Sequence, residues 1–302
     1  MAFNSKFKIK NSKFGGWATV FLFLQAVVGA QSPAIQSTTA VPRRVISMAP
    51  NLTQIVYDIG AQDLLVGVTD FCKFPPAARS KEKIGGWINP NYEKILSLKP
   101  DLVLALKFHG KSVDNLKKLK VPVLVLDCET VQDVLDAYDV LGKRLGHELD
   151  AARGKARLEK RLAKVKKESR GRKPVSVLFV ADRNPGALEQ IYGVGPKNFV
   201  NELIGWAGGV NILADASVPY PLVSKEQLIQ RNPEVIVNAL SEAHLKPGDL
   251  PKEIAAWNAL PTLRAVKNHH VYCFTNEDFL IPGPTMVNLA EYLSDVFAKA
   301  QK

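Results

Sequence analysis

Two stretches of this chain carry the same phrase, and that repetition restricts the fold more than any other feature. The first runs Gly85-Gly86-Trp87-Ile88-Asn89-Pro90-Asn91-Tyr92-Glu93-Lys94-Ile95-Leu96-Ser97-Leu98-Lys99-Pro100-Asp101 and continues into the apolar run 102–106. It reads as aromatic loop, short helix, turn and strand. Asn89 or Asn91 can cap the helix, and Tyr92, Ile95, Leu96 and Leu98 give it an apolar face. Pro100 stops it, because proline cannot continue the hydrogen-bond ladder. A continuous apolar run is the mark of a strand covered on both faces. The second stretch, 218–237, repeats this order, with Tyr220 ahead of Glu226 and with Pro233-Glu234 before a β-branched strand. Glu93 to Pro100 and Glu226 to Pro233 have identical spacing. Two generic helix-turn-strand units could agree by coincidence. The shared glutamate and spacing favour two similar lobes instead.

Around these phrases, strands alternate with helices. Residues 45–49 are strand-like. A helix over 53–59 is closed by Gly60, and strands follow at 64–68 and 121–126. An amphipathic helix covers 130–145, with Val131, Val134, Leu135, Tyr138 and Leu141 on one side. The later half repeats the scheme: strand 175–180, a loop region 181–196, helix 198–206, a short helix 254–260, strand 270–274 and a final helix 285–299. This alternation predicts parallel-sheet α/β lobes. A second echo sets 119–126 against 266–273, each a helix tail running into a late strand. Between the halves, 150–169 has no proline, and Leu158, Leu162 and Val165 recur at helical spacing. One helix of some 20 residues spans roughly 30 Å, enough to run from one lobe to the other.

At 302 residues there is room for two domains of ordinary size. Residues 1–30 read as a signal peptide. Lys6, Lys8, Lys10 and Lys13 precede an apolar stretch at 17–28, and Val28-Gly29-Ala30 offers a cleavage point. The apolar stretch is short for a membrane span, which takes about 20 residues, and no later segment is long enough for one. The expected organisation is signal 1–30, flexible leader 31–42, N-terminal lobe 43–147, linking helix 148–171 and C-terminal lobe 172–302. The product is an exported protein without an integral span. The formal charge of +11 is concentrated: eleven basic residues face only Glu159 and Glu168 between Arg153 and Lys173. That run has no aromatic residue for base stacking and no nucleic-acid-reading motif, so it reads as a solvated helix face and nucleic acid is not an expected partner. Of three cysteines, Cys72 and Cys128 make the best disulfide pair, with free buried thiols the alternative.

No nucleophile-base-acid constellation is visible, and no cofactor motif. Gly193-Val194-Gly195-Pro196 lacks the Lys-Ser/Thr ending of a phosphate loop. On a strand, His269 and His270 would point to opposite faces, a poor pair of metal ligands. What the sequence does supply is aromatic residues in the loops that follow strands: Phe71, Phe74, Trp87, Phe108, Tyr192, Tyr220 and Phe279. Ligands of open α/β sheets bind outside the strands' carboxyl ends. Aromatics contributed by two lobes therefore point to a cleft for a large or flat ligand. Glu277 and Asp278, in the last such loop, can accept hydrogen bonds from ligand amides or hydroxyls.

The segments 45–51, 66–71 with Pro75-Pro76, 87–105 and 218–233, in this order, resemble the substrate-binding proteins of ABC importers for vitamin B12, iron siderophores and haem, the vitamin B12 branch above all. The resemblance covers about 43–300. It implies two Rossmann-like α/β lobes joined by one rigid backbone helix, with the ligand cleft between the lobes. It implies no catalysis and no cofactor. The ligand it implies is cobalamin or a related corrinoid, a ferric siderophore or haem being the alternative and an exported enzyme acting on a metal chelate a third. The resemblance maps ligand contacts onto Phe71, Trp87, Tyr220 and Glu277, with Phe279 in the same loop. It places one permease-docking carboxylate on each lobe, Glu93 and Glu226, which would dock into arginine pockets of the permease. It implies a periplasmic monomer. Two positions depart from the vitamin B12 pattern: Leu106 stands where an aromatic is expected, and Ile281 where a basic residue is expected. Siderophore binders tend to carry arginines in the cleft, and these loops offer only Arg183.

Overall fold

The computed structural model describes residues 40–240, 248–275 and 277–302. Ten strands and ten α-helices are defined among them. The first half contains β1 (Val45–Ser47), α1 (Pro50–Asp58), β2 (Leu65–Val68), α2 (Tyr92–Ser97), β3 (Leu102–Leu106), α3 (Gly110–Lys118), β4 (Val123–Leu126) and α4 (Val131–Leu145). Then comes α5 (Glu148–Ser169), followed by β5 (Val175–Asp182), β6 (Ile191–Gly193), α6 (Phe199–Trp206), β7 (Gly209–Asn211) and β8 (Leu222–Val223). The chain ends with α7 (Lys225–Arg231), β9 (Val235–Ala239), α8 (Leu250–Ala255), α9 (Arg264–Lys267), β10 (Val271–Phe274) and α10 (Met286–Lys299).

The first sheet is all parallel, in the order β2-β1-β3-β4. The second repeats it as β7-β5-β9-β10, again parallel. The long strand β5 shares one edge between two partners. Its first half pairs with β7, and its second half pairs antiparallel with β6, which in turn carries β8. The region 181–196 therefore contributes residues 181–182 and 191–193 to a sheet, and the second sheet is mixed rather than purely parallel. Short strands of two or three residues have too little alternation to be legible beforehand.

The repeated phrase is repeated in space. Asn91 and Ser224 each begin a helix by accepting a hydrogen bond from the backbone N–H three residues on, at Lys94 and Gln227. Lys99 and Asn232 leave each helix in the left-handed region, with φ of 47° and 43°. The strands β3 and β9 then begin at equivalent residues and are buried along their whole length. In α2, however, the apolar face is narrower than the pattern implies: Ile95 is fully buried while Leu96 is 42% exposed. The second echo holds with a corrected register. Lys120 matches His269, since both have positive φ (59° and 57°). In each case the next residue's N–H reaches back five residues, Val121 to Leu116 and His270 to Ala265. His269 thus lies in a turn before the strand, not on it.

The helix α5 runs against both lobes. Ala151, Gly154, Leu158, Leu162 and Val165 are buried along one side. Its basic residues lie outside and are largely paired: Arg157 with Asp58 at 2.9 Å, Arg161 with Glu291 at 2.7 Å and Lys155 with Asp139 at 2.6 Å. One hydrophobic core includes residues of both halves and of α5 between them. All three cysteines are free thiols; Cys72 is fully buried against the hydroxyls of Thr53 and Thr69, both at 3.2 Å.

Gly154 marks the closest approach. A β-carbon there would stand 2.7 Å from both Asp58 Oδ2 and Tyr138 Cε1. Neither can retreat easily, because Tyr138 is fully buried and its hydroxyl donates to Asp58 Oδ2 at 2.6 Å. Gly154→Ala should therefore destabilise the protein by about 1–3 kcal/mol, although alanine is better by up to about 1 kcal/mol in an isolated helix. Urea denaturation measures this, and an unchanged or raised midpoint would refute the tight packing.

Candidate functional site

The carboxyl ends of the strands from both sheets open on one cleft. Helix α1 begins there at Pro50 immediately after β1, and α6 begins there at Asn198, so two helix N-termini face the same space. The main cavity has a volume of about 590 Å³. One wall is Phe71, Trp87, Leu106 and Phe108 from the first lobe; the other is Ala181, Asp182, Leu240 and Phe274 from the second, and Leu280, Ile281 and Pro282 close it. A second cavity of about 330 Å³ shares Leu106, Phe108, Leu280 and Pro282 with the first and extends to Tyr220 and Lys197. The two are therefore parts of one groove.

The aromatic side chains stand free in it. Phe71 is 50% exposed, Phe108 60% and Tyr220 48%. Trp87 and Phe108 meet edge to face at 5.3 Å between ring centres, which holds both rings upright on the wall. Tyr220 is placed by the close approach of two backbones: Gly195 N–H donates to Pro219 O at 2.7 Å, and a β-carbon on Gly195 would lie 2.4 Å from Val218 O. Burial, and then the nearby Glu129 carboxylate, raise the Tyr220 phenol above its ordinary value, so it remains a hydrogen-bond donor.

The structure separates the other aromatics from this group. Phe279 is not a lining residue; its ring packs on Phe274 at 5.3 Å and Tyr292 at 6.0 Å, part of a cluster that supports the cavity floor from behind. Phe74 lies in a groove on the α5 side with Asp58 and Arg161, and Tyr192 sits on β6 away from both cavities. The side chain of Glu277 lies outside the described residues. Phe108 is the residue sequence reasoning passed over when it narrowed the aromatics to a site. It stands two positions beyond Leu106, where an aromatic was expected, and lines both cavities.

The charged lining residues are of both signs, Lys73, Lys107 and Lys197 with Asp182, Asp127 and Glu129, and none of the lining residues is an arginine. Arg183 turns inward instead. It donates to Glu253 Oε2 at 2.6 Å and to Asn238 Oδ1 at 2.6 Å, with its side chain fully buried. A buried, fully bonded guanidinium is held by its partners and has no donor left for a ligand. No group of three or more His, Cys, Asp or Glu side chains suited to a metal ion occurs among the described residues.

His109 supports the wall from behind. It is 4% exposed, its ring lies 4.3 Å from that of Phe108, and its Nδ1 accepts from Leu106 N–H at 2.9 Å. The acceptor role of Nδ1 places the proton on Nε2, so the ring offers no lone pair to a metal. Burial lowers its pKa from the ordinary histidine value. The unfolded chain then binds the proton first as pH falls, so this contribution to stability is present above the unfolded value near 6.5 and is lost below it. Stability measured by denaturation should fall between pH 7 and 5.5, by at most about 1.4 kcal/mol per pH unit from this residue. His109→Leu should flatten that part of the curve, and an unaltered slope would refute the assignment.

Two α/β lobes joined by a long helix, with a preformed apolar groove at their strand ends, define a bilobal binding protein. The chain belongs to the periplasmic binding protein family, whose profile matches residues 45–277. Members of this family are substrate-binding components of ABC importers that hand ligand to a membrane permease, and they are transport proteins rather than enzymes. A vitamin B12-binding protein of Vibrio cholerae serotype O1 is 28% identical over 287 residues, 94% of this chain and 97% of that protein. A vitamin B12-binding protein of Pectobacterium carotovorum is 28% identical over 66% of this chain and 71% of its own length. Among solved structures, the periplasmic vitamin B12 binding protein of Vibrio cholerae superposes with a TM-score of 0.74 at 28% identity, covering 86% of this chain and 98% of that one. A periplasmic haem-binding protein of Pseudomonas aeruginosa shares the fold with a TM-score of 0.72 at 21% identity, over 85% of this chain and 93% of that one.

Proposed function

We propose that this protein captures cobalamin or a related corrinoid in the interlobe groove and delivers it to the permease of an ABC importer. The observation that carries this reading is the groove itself. It is apolar, walled by aromatics from both lobes and free of arginine, and its two connected cavities together approach the upper end of the roughly 300–1,000 Å³ usual for small-molecule sites. Such a surface suits a large ligand with an apolar face and neutral polar edges. Phe71, Trp87 and Phe108 would pack on one side and Tyr220 donate from the other. Glu277 remains the acid of this proposal. Phe279 enters it only as support for the floor. The vitamin B12 binders among the relatives add weight.

Haem is the second reading: Ile281 lines the main cavity where the vitamin B12 pattern has a basic residue, which counts against a corrinoid, and the wall of Phe71, Trp87 and Phe108 suits a planar ring. Anionic ferric siderophores fit less well, because the groove lacks arginine.

The chain organisation belongs to the same proposal: signal 1–30 and leader 31–42, both outside the described residues save 40–42, then lobes over 43–147 and 172–302 around the helix 148–171. No helix among the described residues is long and apolar enough to cross a membrane. The protein acts in the periplasm as a monomer, since one chain supplies both walls. Glu93 and Glu226 dock to the permease. Both are exposed, and neither forms an ion pair among the described residues. The Ser224 hydroxyl holds the Glu226 carboxyl below its ordinary value. Both carboxyl groups are open to solvent, where a planar guanidinium on the partner can pair with them.

Calorimetry with cyanocobalamin should give tight binding to the purified protein, weakened about 10–100-fold by Trp87→Ala. No heat with cyanocobalamin or cobinamide would refute the corrinoid reading, and haem would then be titrated by its absorbance. Reversing both docking residues, Glu93→Lys with Glu226→Lys, should abolish uptake into cells while leaving ligand affinity unchanged. Affinity lost together with uptake would refute the docking role.

A further inference from the structure

One turn beyond each docking glutamate stands an exposed apolar residue. Leu96 follows Glu93 by three positions and is 42% exposed; Ile229 follows Glu226 by three and is 50% exposed. Residues three apart share a helix face. Beneath them the preceding residues, Ile95 and Leu228, are both fully buried. The match extends to the helix caps and the left-handed turns at Lys99 and Asn232. Both lobes therefore present the same pair, a carboxylate and an apolar knob, on the same side of the same short helix.

A single exposed leucine is ordinary on a protein surface. Two at equivalent positions of a duplicated element, each next to an exposed carboxylate that forms no ion pair among the described residues, call for a common cause. The core does not need them, since Ile95 and Leu228 fill the space below. The ligand groove does not use them either, as neither lines a cavity of the groove.

We propose that Leu96 and Ile229 are docking residues for the permease, each seating in an apolar depression beside the basic group that receives the neighbouring glutamate. This rests on the docking reading of Glu93 and Glu226 and adds to it a source of affinity. An exposed ion pair alone contributes little and is screened by salt. An apolar contact at its side excludes water and contributes in its own right. The partner that fits is a membrane protein presenting two equivalent copies of a cationic group with an apolar pocket.

The test places a photoreactive benzoylphenylalanine at position 96 or 229 in the full chain, expressed in the source cells and irradiated. Position 149 is the control, because Leu149 is 76% exposed but lies on α5, distant in sequence from both helices. The expected result is one membrane adduct, common to positions 96 and 229, that peptide mass spectrometry identifies as a multi-span permease, with none from 149. Ile229→Ser should lower the yield from position 96 about fivefold to tenfold, and Leu96→Ser that from 229. No permease adduct, an adduct from one lobe only, or equal yield from 149 would overturn the proposal. Introducing Glu93→Lys with Glu226→Lys separates the two claims. Loss of the adducts supports both contacts, whereas persisting adducts support the apolar contact and refute carboxylate docking.

Discussion

The groove exists because the two lobes are fixed at one separation, and the hydrogen bonds that cross between them are the constraint on which the rest depends. They come in two sets, and the sets are related as the lobes are. On one side α1 meets the loop before α10: Asn51 Nδ2 donates to Pro282 O at 3.2 Å, and Thr285 Oγ1 bonds to Gln54 Oε1 at 2.9 Å. On the other, α6 meets the loop before α4: Phe199 N–H donates to Glu129 O at 2.8 Å, and Val131 N–H to Glu202 Oε2 at 2.8 Å. Helix α6 occupies in the second lobe the place of α1 in the first, and α10 that of α4. Each lobe thus grips the start of the other's final helix, with side-chain donors on the first side and backbone N–H donors on the second. These bonds form the groove's floor, and Glu129, Phe199, Asn51 and Pro282 line the cavities as well.

Helix α5 completes the constraint from behind. Arg157 pairs with Asp58 of the first lobe and Arg161, one turn on, with Glu291 of the second. Exposed pairs of this kind stabilise by a few tenths of a kcal/mol to about 1 kcal/mol each, so their role is to set the helix's rotation more than to hold it. The holding is done by the core that runs beneath, continuous from Val45 through Leu158 and Leu162 to Phe297. With polar bonds at two points in front and a shared core behind, the separation of the lobes is built in. A groove already open and ordered spends little free energy on closing, and rigid aromatic walls lose few rotamers when a ligand arrives. Within the basic run 153–173, Arg157 and Arg161 serve these pairings, and Lys166 lies 3.3 Å above the Trp206 ring.

How much of this was legible follows from the length over which each feature repeats. Helices such as α4 and α5, and the strands β3 and β9, persist for enough residues that period and capping identify them. The duplication showed through two phrases with one spacing, because short helix, left-handed turn and buried strand each leave a residue signature. By contrast β6 to β8 are two or three residues long and owe their existence to unoccupied edge on β5. Leu96 was misjudged for the reason that separates pattern from packing, and the burial of Arg183 was hidden for the same reason. A leucine at helical spacing is core only if the core has room, and an arginine near a cleft is available only if no buried acid claims it. Glu253, seventy positions away from Arg183, gives no sign in the sequence of doing so. Phe279 was read by loop position, yet Phe274 and Tyr292 converge on it only in three dimensions.

The two departures from the vitamin B12 pattern have different physical weight. Loss of an aromatic at Leu106 is offset within the same strand end, since Leu106 closes the strand and Phe108 stands on the turn that follows, locked against Trp87 by an edge-to-face contact and backed by His109. Phe108 lines both cavities beside Leu106, so the wall keeps an aromatic ring while its outline moves toward Tyr220. No such substitution is available for Ile281. Its neighbours Leu280 and Pro282 are apolar, and the lining residues opposite contribute acids at Asp182, Asp127 and Glu129. The cations nearest in the lining are Lys73 in the main cavity and Lys107 and Lys197 in the second, of which Lys107 pairs with Asp127 at 3.4 Å. At the Lys197 end the N-terminus of α6 adds a positive dipole, but the Asp127 and Glu129 carboxylates line the same cavity, so no net positive side-chain charge gathers there. The groove therefore replaces the ring at position 106 and leaves the cation at position 281 without a replacement.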